Sequence, residues 1–281
     1  MDLQNNPVSF PICPLPKPDK GFRLFLRRLR QAQMVWSSKS LRSNDDMVAA
    51  MVSRYGSAGE LEYYSKWAAA GLVPCEKDVM AQILRTDLAP RSALVVGCGT
   101  GREAFALERL GLQVTGVDLC PQMIEAARTI AESNSSSARF VLRDPSDDGF
   151  IEKFDFILVS GSLGNHIQGR ANRVRFWKQV AGNLKPGGTM AHGPEIKKLP
   201  RGGRFYFASV LLRIRWSGRP QWEPGDTALS FLGNHNATHE IIFYHYYQSE
   251  REFLSELEEA GFRPRQLVSP PMWLFSLQAA G

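Results

Sequence analysis

Three glycines at alternate positions, Gly97, Gly99 and Gly101, follow the apolar run Leu94-Val95-Val96 and precede a segment of helical character opening at Arg102. Glycine at such a junction lets the backbone turn sharply and lets a ligand approach where a Cβ would collide. A tight turn that binds nothing uses the same residues. A dinucleotide fingerprint needs a further glycine where Arg102 stands, so that reading is weaker. Asp118 closes the next apolar run. In a doubly wound sheet ligands sit at the carboxyl ends of the strands, and a carboxylate there can accept both hydrogen bonds of a ribose diol. Two histidines are candidates for moving a proton, His166 in Gly164-Asn165-His166 and His192 at the end of a later apolar run. Each also has an ordinary reading, as a loop histidine in water or a hydrogen-bonded core histidine.

Metal chemistry is not expected. His235 and His239 could share a helical face, but Gly233, Asn234 and Asn236 make that stretch a loop, and with His245 no carboxylate pair accompanies them. Cys13, Cys75, Cys98 and Cys120 are scattered without a CxxC pair, which argues against zinc or iron–sulfur sites and suits a reducing cytoplasm.

The elements that must position these groups are legible from periodicity. Pro7, Pro11, Pro14, Pro16 and Pro18 make residues 1–20 an extended tail. Residues 21–92 read as a helical cap. A short basic amphipathic helix carries Phe22, Phe25, Leu26 and Leu29 opposite Arg23, Arg27 and Arg30, and further helices run over Ser57–Ala70 and Glu76–Leu88. From Ala93 short apolar runs alternate with helices. Strands are predicted over Ala93–Gly97, Gln113–Asp118, Arg139–Arg143, Phe154–Ser160 and Thr189–His192. Helices fall over Arg102–Leu110, Pro121–Glu132 and Asn172–Leu184. This alternation implies an α/β fold with a parallel sheet covered on both faces. After an insertion at 195–238 come a strand over Glu240–Tyr247, a helix over Glu250–Ala260, and an antiparallel edge pair, Arg265–Val268 and Trp273–Gln278.

Taken together, these residues resemble the class I S-adenosylmethionine (SAM)-dependent methyltransferases over roughly 93–194 and 239–281. The resemblance implies a three-layer Rossmann-like fold, its seven-stranded sheet mostly parallel with an antiparallel edge strand, and SAM as cofactor, released as S-adenosylhomocysteine. It places Gly97, Cys98, Gly99 and Gly101 under the methionine and ribose. Asp118 then holds the ribose, Leu119 lies beside the adenine and Asp144 near the adenine amino group, with Met123 and Pro145 among the cofactor-binding residues. Ser160 belongs to the loop lining the cofactor. Leu184-Lys185-Pro186-Gly187-Gly188 matches the turn into strand five, and Glu259-Ala260-Gly261-Phe262 the turn before the closing strands. Arg102 either neutralises the cofactor carboxylate or pairs with Glu103 on a helix surface. Tyr55 lies in a segment that often folds over the cofactor in such enzymes.

Methyl transfer asks little of the protein beyond alignment, which supplies about 7–11 kcal/mol of the barrier, against about 3–5 kcal/mol for a general base. His166 is the first candidate base and His192 the second. The insertion at 195–238 is a lid over the strand ends. It interleaves Arg204, Arg213 and Arg215 with Tyr206 and Trp216, which suits a flat or apolar acceptor bearing an anionic group, or simply a solvated basic face. Asn165, Tyr206, Trp216 and Tyr244 are the expected acceptor contacts. The reading is a methyltransferase acting on oxygen or nitrogen of a small molecule, with no metal. Its alternatives are an RNA methyltransferase, given the net charge of +6, or a protein of the same fold that binds SAM without transferring methyl. The 22–30 helix can dock on the domain or on a second copy, as a homodimer. No run is long enough to span a membrane and no apolar signal core opens the chain, so the expected location is cytoplasmic.

Overall fold

The computed structural model describes residues 41–85, 90–144, 152–161, 163–197, 222–230 and 241–278. The proline tail, the 22–30 helix, Pro145, Tyr206 and Trp216 lie outside them, as does most of the insertion. Strands β1 (Ser92–Val96), β2 (Gln113–Asp118), β3 (Arg139–Leu142), β4 (Phe154–Val159), β5 (Leu184–His192), β8 (Phe262–Ser269) and β9 (Met272–Leu277) form a seven-stranded sheet in the order β3-β2-β1-β4-β5-β9-β8. β1 to β5 are parallel, and β9 runs antiparallel to both β5 and β8. The antiparallel strand therefore lies one place in from the edge, and β8 is the edge strand.

β1 shows why the sheet is buried on both sides. Ala93 and Val95 pack into one core with Phe105, Leu107, Ile124 and Leu158, while Leu94 and Val96 pack into the other with Ile157, Phe176, Trp177 and Phe262. A strand apolar at every position fits only between two helical layers. Those layers include α4 (Arg102–Arg109), α5 (Pro121–Ser133), α6 (Arg170–Gly182) and α7 (Glu250–Glu259). Proline occupies the first turn of α5, where its missing N–H costs nothing, and the Ser249 hydroxyl caps α7 by accepting from the Glu252 N–H.

Three further helices precede β1: α1 (Asn44–Tyr55), α2 (Ala58–Trp67) and α3 (Pro74–Ile83). Val79, Met80 and Ile83 share one core with Phe105, Leu158 and Ala191, so this helical segment is continuous with the sheet's packing. Periodicity missed α1 because its buried apolar residues are few: Met47, Ala50 and Met51. Its start was nonetheless written as Ser43 ahead of Asp45 and Asp46, a capping serine followed by an acidic first turn.

Two further readings change. The turn read at Leu184–Gly188 lies inside β5, where the register jumps from Phe154↔Leu184 to Phe156↔Thr189 and a bulge absorbs the extra residues. The strand read at Glu240–Tyr247 is β7 (Ile241–His245), which leaves the main sheet to pair antiparallel with β6 (Asp226–Ser230).

This small sheet is tied to the helices by buried charge. Arg173 of α6, fully buried, donates through Nε and Nη2 to Glu256 of α7, also fully buried, and through Nη2 to Glu223 at 2.9 Å. The Tyr247 hydroxyl donates to Glu256 at 3.0 Å, and His245 of β7 pairs with Asp226 of β6 at 2.7 Å. Burial alone disfavours a charged His245, but the hydrogen bond to Asp226 and the Glu252 carboxylate 3.7 Å from Nε2 outweigh it and raise its pKa above the usual histidine value. Breaking one partner of a buried pair leaves an uncompensated charge. Glu256→Ala is therefore expected to lower the unfolding free energy by about 3–5 kcal/mol, read from urea denaturation, with Arg173→Met in the same chain recovering part of the loss.

Candidate active site

The carboxyl ends of β1, β2 and β4 meet at one edge of the sheet, and the glycine loop rises from the first. Gly99 takes a φ of +50°, and a Cβ there would meet nothing within 4 Å. Its glycine is required by backbone conformation and opens onto free space. Gly101, at φ +97°, is required by packing: a Cβ would come within 2.7 Å of Phe105 and 2.9 Å of Phe140.

Asp118 stands beside this loop. Oδ2 accepts the Gly99 N–H and Oδ1 the Cys120 N–H, both at 2.9 Å. Burial raises its pKa, and those N–H groups pull it back down. The Leu119 N–H adds to their pull, and a carboxylate held in this way can still accept from the hydroxyls of a vicinal diol. Asp144 follows β3 directly, and β3 is held level with β2 by the Arg143 N–H donating to the Asp118 carbonyl at 2.9 Å. Leu119 is partly exposed beside Asp118. Cys98 and Met123 are buried, and burial drives the Cys98 thiol well above its usual pKa. The crevice residues thus fit a nucleoside held by Gly99 and Asp118, with Leu119 and Asp144 alongside.

Arg102 is engaged by the protein itself. Nη1 donates to the Gly71 carbonyl and to Glu76, and Nη2 to Glu76 and to Glu103. Glu103 is buried and also accepts the Ser160 hydroxyl. Burial raises the Glu103 pKa against the pull of Arg102. This cluster locks α3 and the β4 loop to the start of α4. Glu103 is the partner that the sequence offers Arg102 as the alternative to a cofactor carboxylate, whereas nothing in the sequence singles out Glu76.

The acceptor side lies next to the loop. Leu163 opens a 3-10 turn, Leu163–His166, and a Cβ on Gly97 would touch its side chain at 3.2 Å. His166 meets Tyr55 and Tyr244 edge to face, at ring centroid distances of 6.2 and 4.9 Å. Its Nδ1 lies 3.3 Å from the Phe243 carbonyl, which makes Nδ1 the protonated nitrogen and Nε2 an acceptor. Burial holds its pKa down to about 4, so the ring is neutral near pH 7. Burial raises the phenol of Tyr55.

His192 and Asn165 are placed differently from the expectation. His192 is fully buried between Trp177 and Phe253, its Nδ1–H donating to the Val159 carbonyl, and burial lowers its pKa to about 4. Asn165 is fully buried and its amide is bonded to the backbone of Glu195 and His245. The first sits in the core and the second is a staple, so neither presents a group to an acceptor. Glu223, Asp226 and His245 lie close enough to hold a cation, but Arg173 and the Arg170 N–H already occupy Glu223.

The fold is an open α/β sheet with the glycine loop and Asp118 at its switch point. Residues 93–188 match the family model of a methyltransferase domain. A ribosomal protein L11 methyltransferase of Burkholderia mallei is 33% identical over 122 residues, 43% of this chain and 37% of that protein. The chain therefore spans well under half the length of the curated relatives named by that match. A SAM-dependent methyltransferase from Clostridium acetobutylicum superposes with a TM-score of 0.55 at 16% identity, covering 72% of this chain and 90% of that one. The SAM-bound CalS10, an amino pentose methyltransferase from Micromonospora echinaspora, gives 0.53 at 15%, covering 77% and 97%. At such identities the likeness is one of fold. Residues 93–188 thus match a methyltransferase domain, and the fold around them is the Rossmann-like one of SAM-dependent methyltransferases.

Two outcomes are expected. Asp118→Ala weakens S-adenosylhomocysteine binding by about 10- to 100-fold in calorimetry, the range for losing charge-assisted hydrogen bonds, and Asp118→Asn loses less. His166 and His192 both fold with pKa values below 6.5, so the unfolded chain binds more protons between about 4 and 6.5. Their contribution to stability is complete above 6.5 and is lost as the pH falls through that window. The urea midpoint should drop accordingly, with a shallower slope in His192→Phe.

Proposed function

We propose that the protein transfers a methyl group from SAM to an oxygen or nitrogen of a small molecule by in-line displacement. The observation that carries this reading is the contiguity of the two sites. The Leu163–His166 turn touches the glycine loop at one end and the Tyr55 and Tyr244 rings at the other. SAM supplies a methyl on a sulfonium, a built-in leaving group, so the chain's task is alignment. Asp118 would bind the ribose hydroxyls, with Gly97, Gly99 and Gly101 beneath the chain of the cofactor and Asp144 and Leu119 beside the base. Cys98 and Met123 would shape that pocket from behind, and Ser160 would line it while bonded to Glu103. Arg102 acts in this scheme by holding Glu76 and Glu103 rather than by meeting the cofactor. Tyr55 and Tyr244 would exclude water from the acceptor, and neutral His166, through Nε2, would orient the acceptor's donor hydrogen.

The scattered cysteines favour a reducing cytoplasmic setting, and Cys75, Cys98 and Cys120 are unpaired. Among the described residues no helix is long and apolar enough to cross a membrane. A macromolecular acceptor is the second reading, favoured by the net charge of +6 and by the ribosomal protein methyltransferases among the relatives. The deciding experiment incubates the protein and SAM with a metabolite extract and, separately, with ribosomal protein and RNA. Small-molecule products heavier by one CH₂, with S-adenosylhomocysteine accumulating in step, are expected. Methyl incorporation confined to protein or RNA would replace this reading by the second, and cofactor binding without any product would refute transfer.

A further inference from the structure

Glu195 stands just past the end of β5, and the fold commits a fully buried asparagine to holding it. The Glu195 N–H donates to Asn165 Oδ1 at 3.2 Å, and its carbonyl accepts from Asn165 Nδ2 at 3.1 Å and from the Tyr247 N–H at 3.3 Å. Both backbone groups are therefore clamped. On the side chain, Oε2 accepts the Tyr244 hydroxyl at 2.5 Å, and among the described residues no donor meets Oε1. Glu195 is partly exposed.

The carboxylate ends a line of rings that begins near the ribose-binding side. Tyr55 feels the Asp118 charge, His166 stands at its edge, Tyr244 at the edge of His166, and Glu195 on the Tyr244 hydroxyl. β7 sorts its side chains to make this possible. Tyr244 packs with His166 on this side, while His245 faces the buried ion network. Two cations adjoin the rings, each with its own engagement. Arg54 packs over Tyr55 and pairs with Glu60 at 3.4 Å, and Lys197 lies over Tyr246, 5.0 Å from its centroid. What the rings and Glu195 offer a guest is thus acceptors: Glu195 Oε1 and, because Nδ1 donates to Phe243, His166 Nε2.

We propose that Glu195 is the specificity-determining residue of the acceptor subsite, and that this subsite takes an amine-bearing acceptor, its ammonium hydrogens on Glu195 and its carbon skeleton among Tyr55, His166 and Tyr244. The inference deepens the methyl-transfer reading and rests on it. An ammonium supplies the donors these acceptors lack, aromatic faces attract cations, and a carboxylate or phosphate guest would meet like charge. Asn165 is the positioning residue, since it reaches the guest only through Glu195.

The test is calorimetric titration of protein saturated with S-adenosylhomocysteine, using a panel of arylalkylamines with their matched alcohols and carboxylates. Amines are expected to bind best and carboxylates worst. Glu195→Gln keeps an oxygen for the Tyr244 hydroxyl while removing the charge. It should weaken amine binding by about 10- to 100-fold, as for a lost charge-assisted hydrogen bond, with alcohol binding weakened several-fold less and S-adenosylhomocysteine affinity unchanged. A preference for carboxylates, an absence of preference, or an amine affinity unaltered in the variant would overturn the proposal while leaving the methyl-transfer reading intact. Failure of S-adenosylhomocysteine to bind the wild-type chain would sink both.

Discussion

Backbone N–H groups from Gly99 and Cys120 converge on the two oxygens of Asp118, and the loops at the carboxyl ends of β1 and β2 are built around that convergence. Parallel strands end with backbone groups that no further ladder satisfies, so loops at their carboxyl ends need side-chain partners. Asp118 serves the loop after β1 and the loop after β2 at once, which sets the gap between them. Held from the protein side by those bonds, the carboxylate keeps a fixed orientation beside Gly99. A ribose diol needs that geometry, and Gly99 leaves the space for it.

A second constraint acts further along the edge. The β6–β7 ribbon stands outside the main sheet, tied down by the charged network around Arg173, Glu256, Asp226 and His245 and by the bonds of Asn165 and His166 to the β7 backbone. Such a network contributes little net stability compared with apolar packing, but it tolerates few alternative arrangements. That is its use here, because β7 must present Tyr244 to His166 on one side while staying anchored on the other. Both sides of the site combine buried charge with backbone hydrogen bonds: Arg102 with Glu76 and Glu103 braces the glycine-loop side, and Asn165 and His166 bond backbone carbonyls on the other. The Leu163–His166 turn joins them.

The histidines show how far residue type alone can mislead. His166 and His192 both follow apolar strands and both fold as neutral rings with a pKa near 4. One meets Tyr55 and Tyr244 at the acceptor side and the other lies between Trp177 and Phe253 with no exposed surface. Asn165 and Glu195 make the converse point. Asn165 lies beside His166 in the sequence yet faces inward as a clamp, and Glu195 was read only as the start of the basic insertion.

What the chain's linear order determined was the part built from local periodicity. Alternating apolar runs and helices specified a parallel sheet, and glycines between a strand and a helix, with Asp118 closing the next strand, marked the cofactor end. These signals are legible because each depends on residues within one or two elements, where hydrophobic period and turn chemistry act directly. Tertiary structure alone decided the rest: the bond from Asn165 to Glu195, the clasp of Arg102 on Glu76, the separation of β6–β7 from the main sheet, and the inward turn of His192. Each joins groups on different elements, and whether a side chain faces core or crevice depends on which neighbours fill the space around it. Local sequence carries no information about those neighbours until the chain has folded.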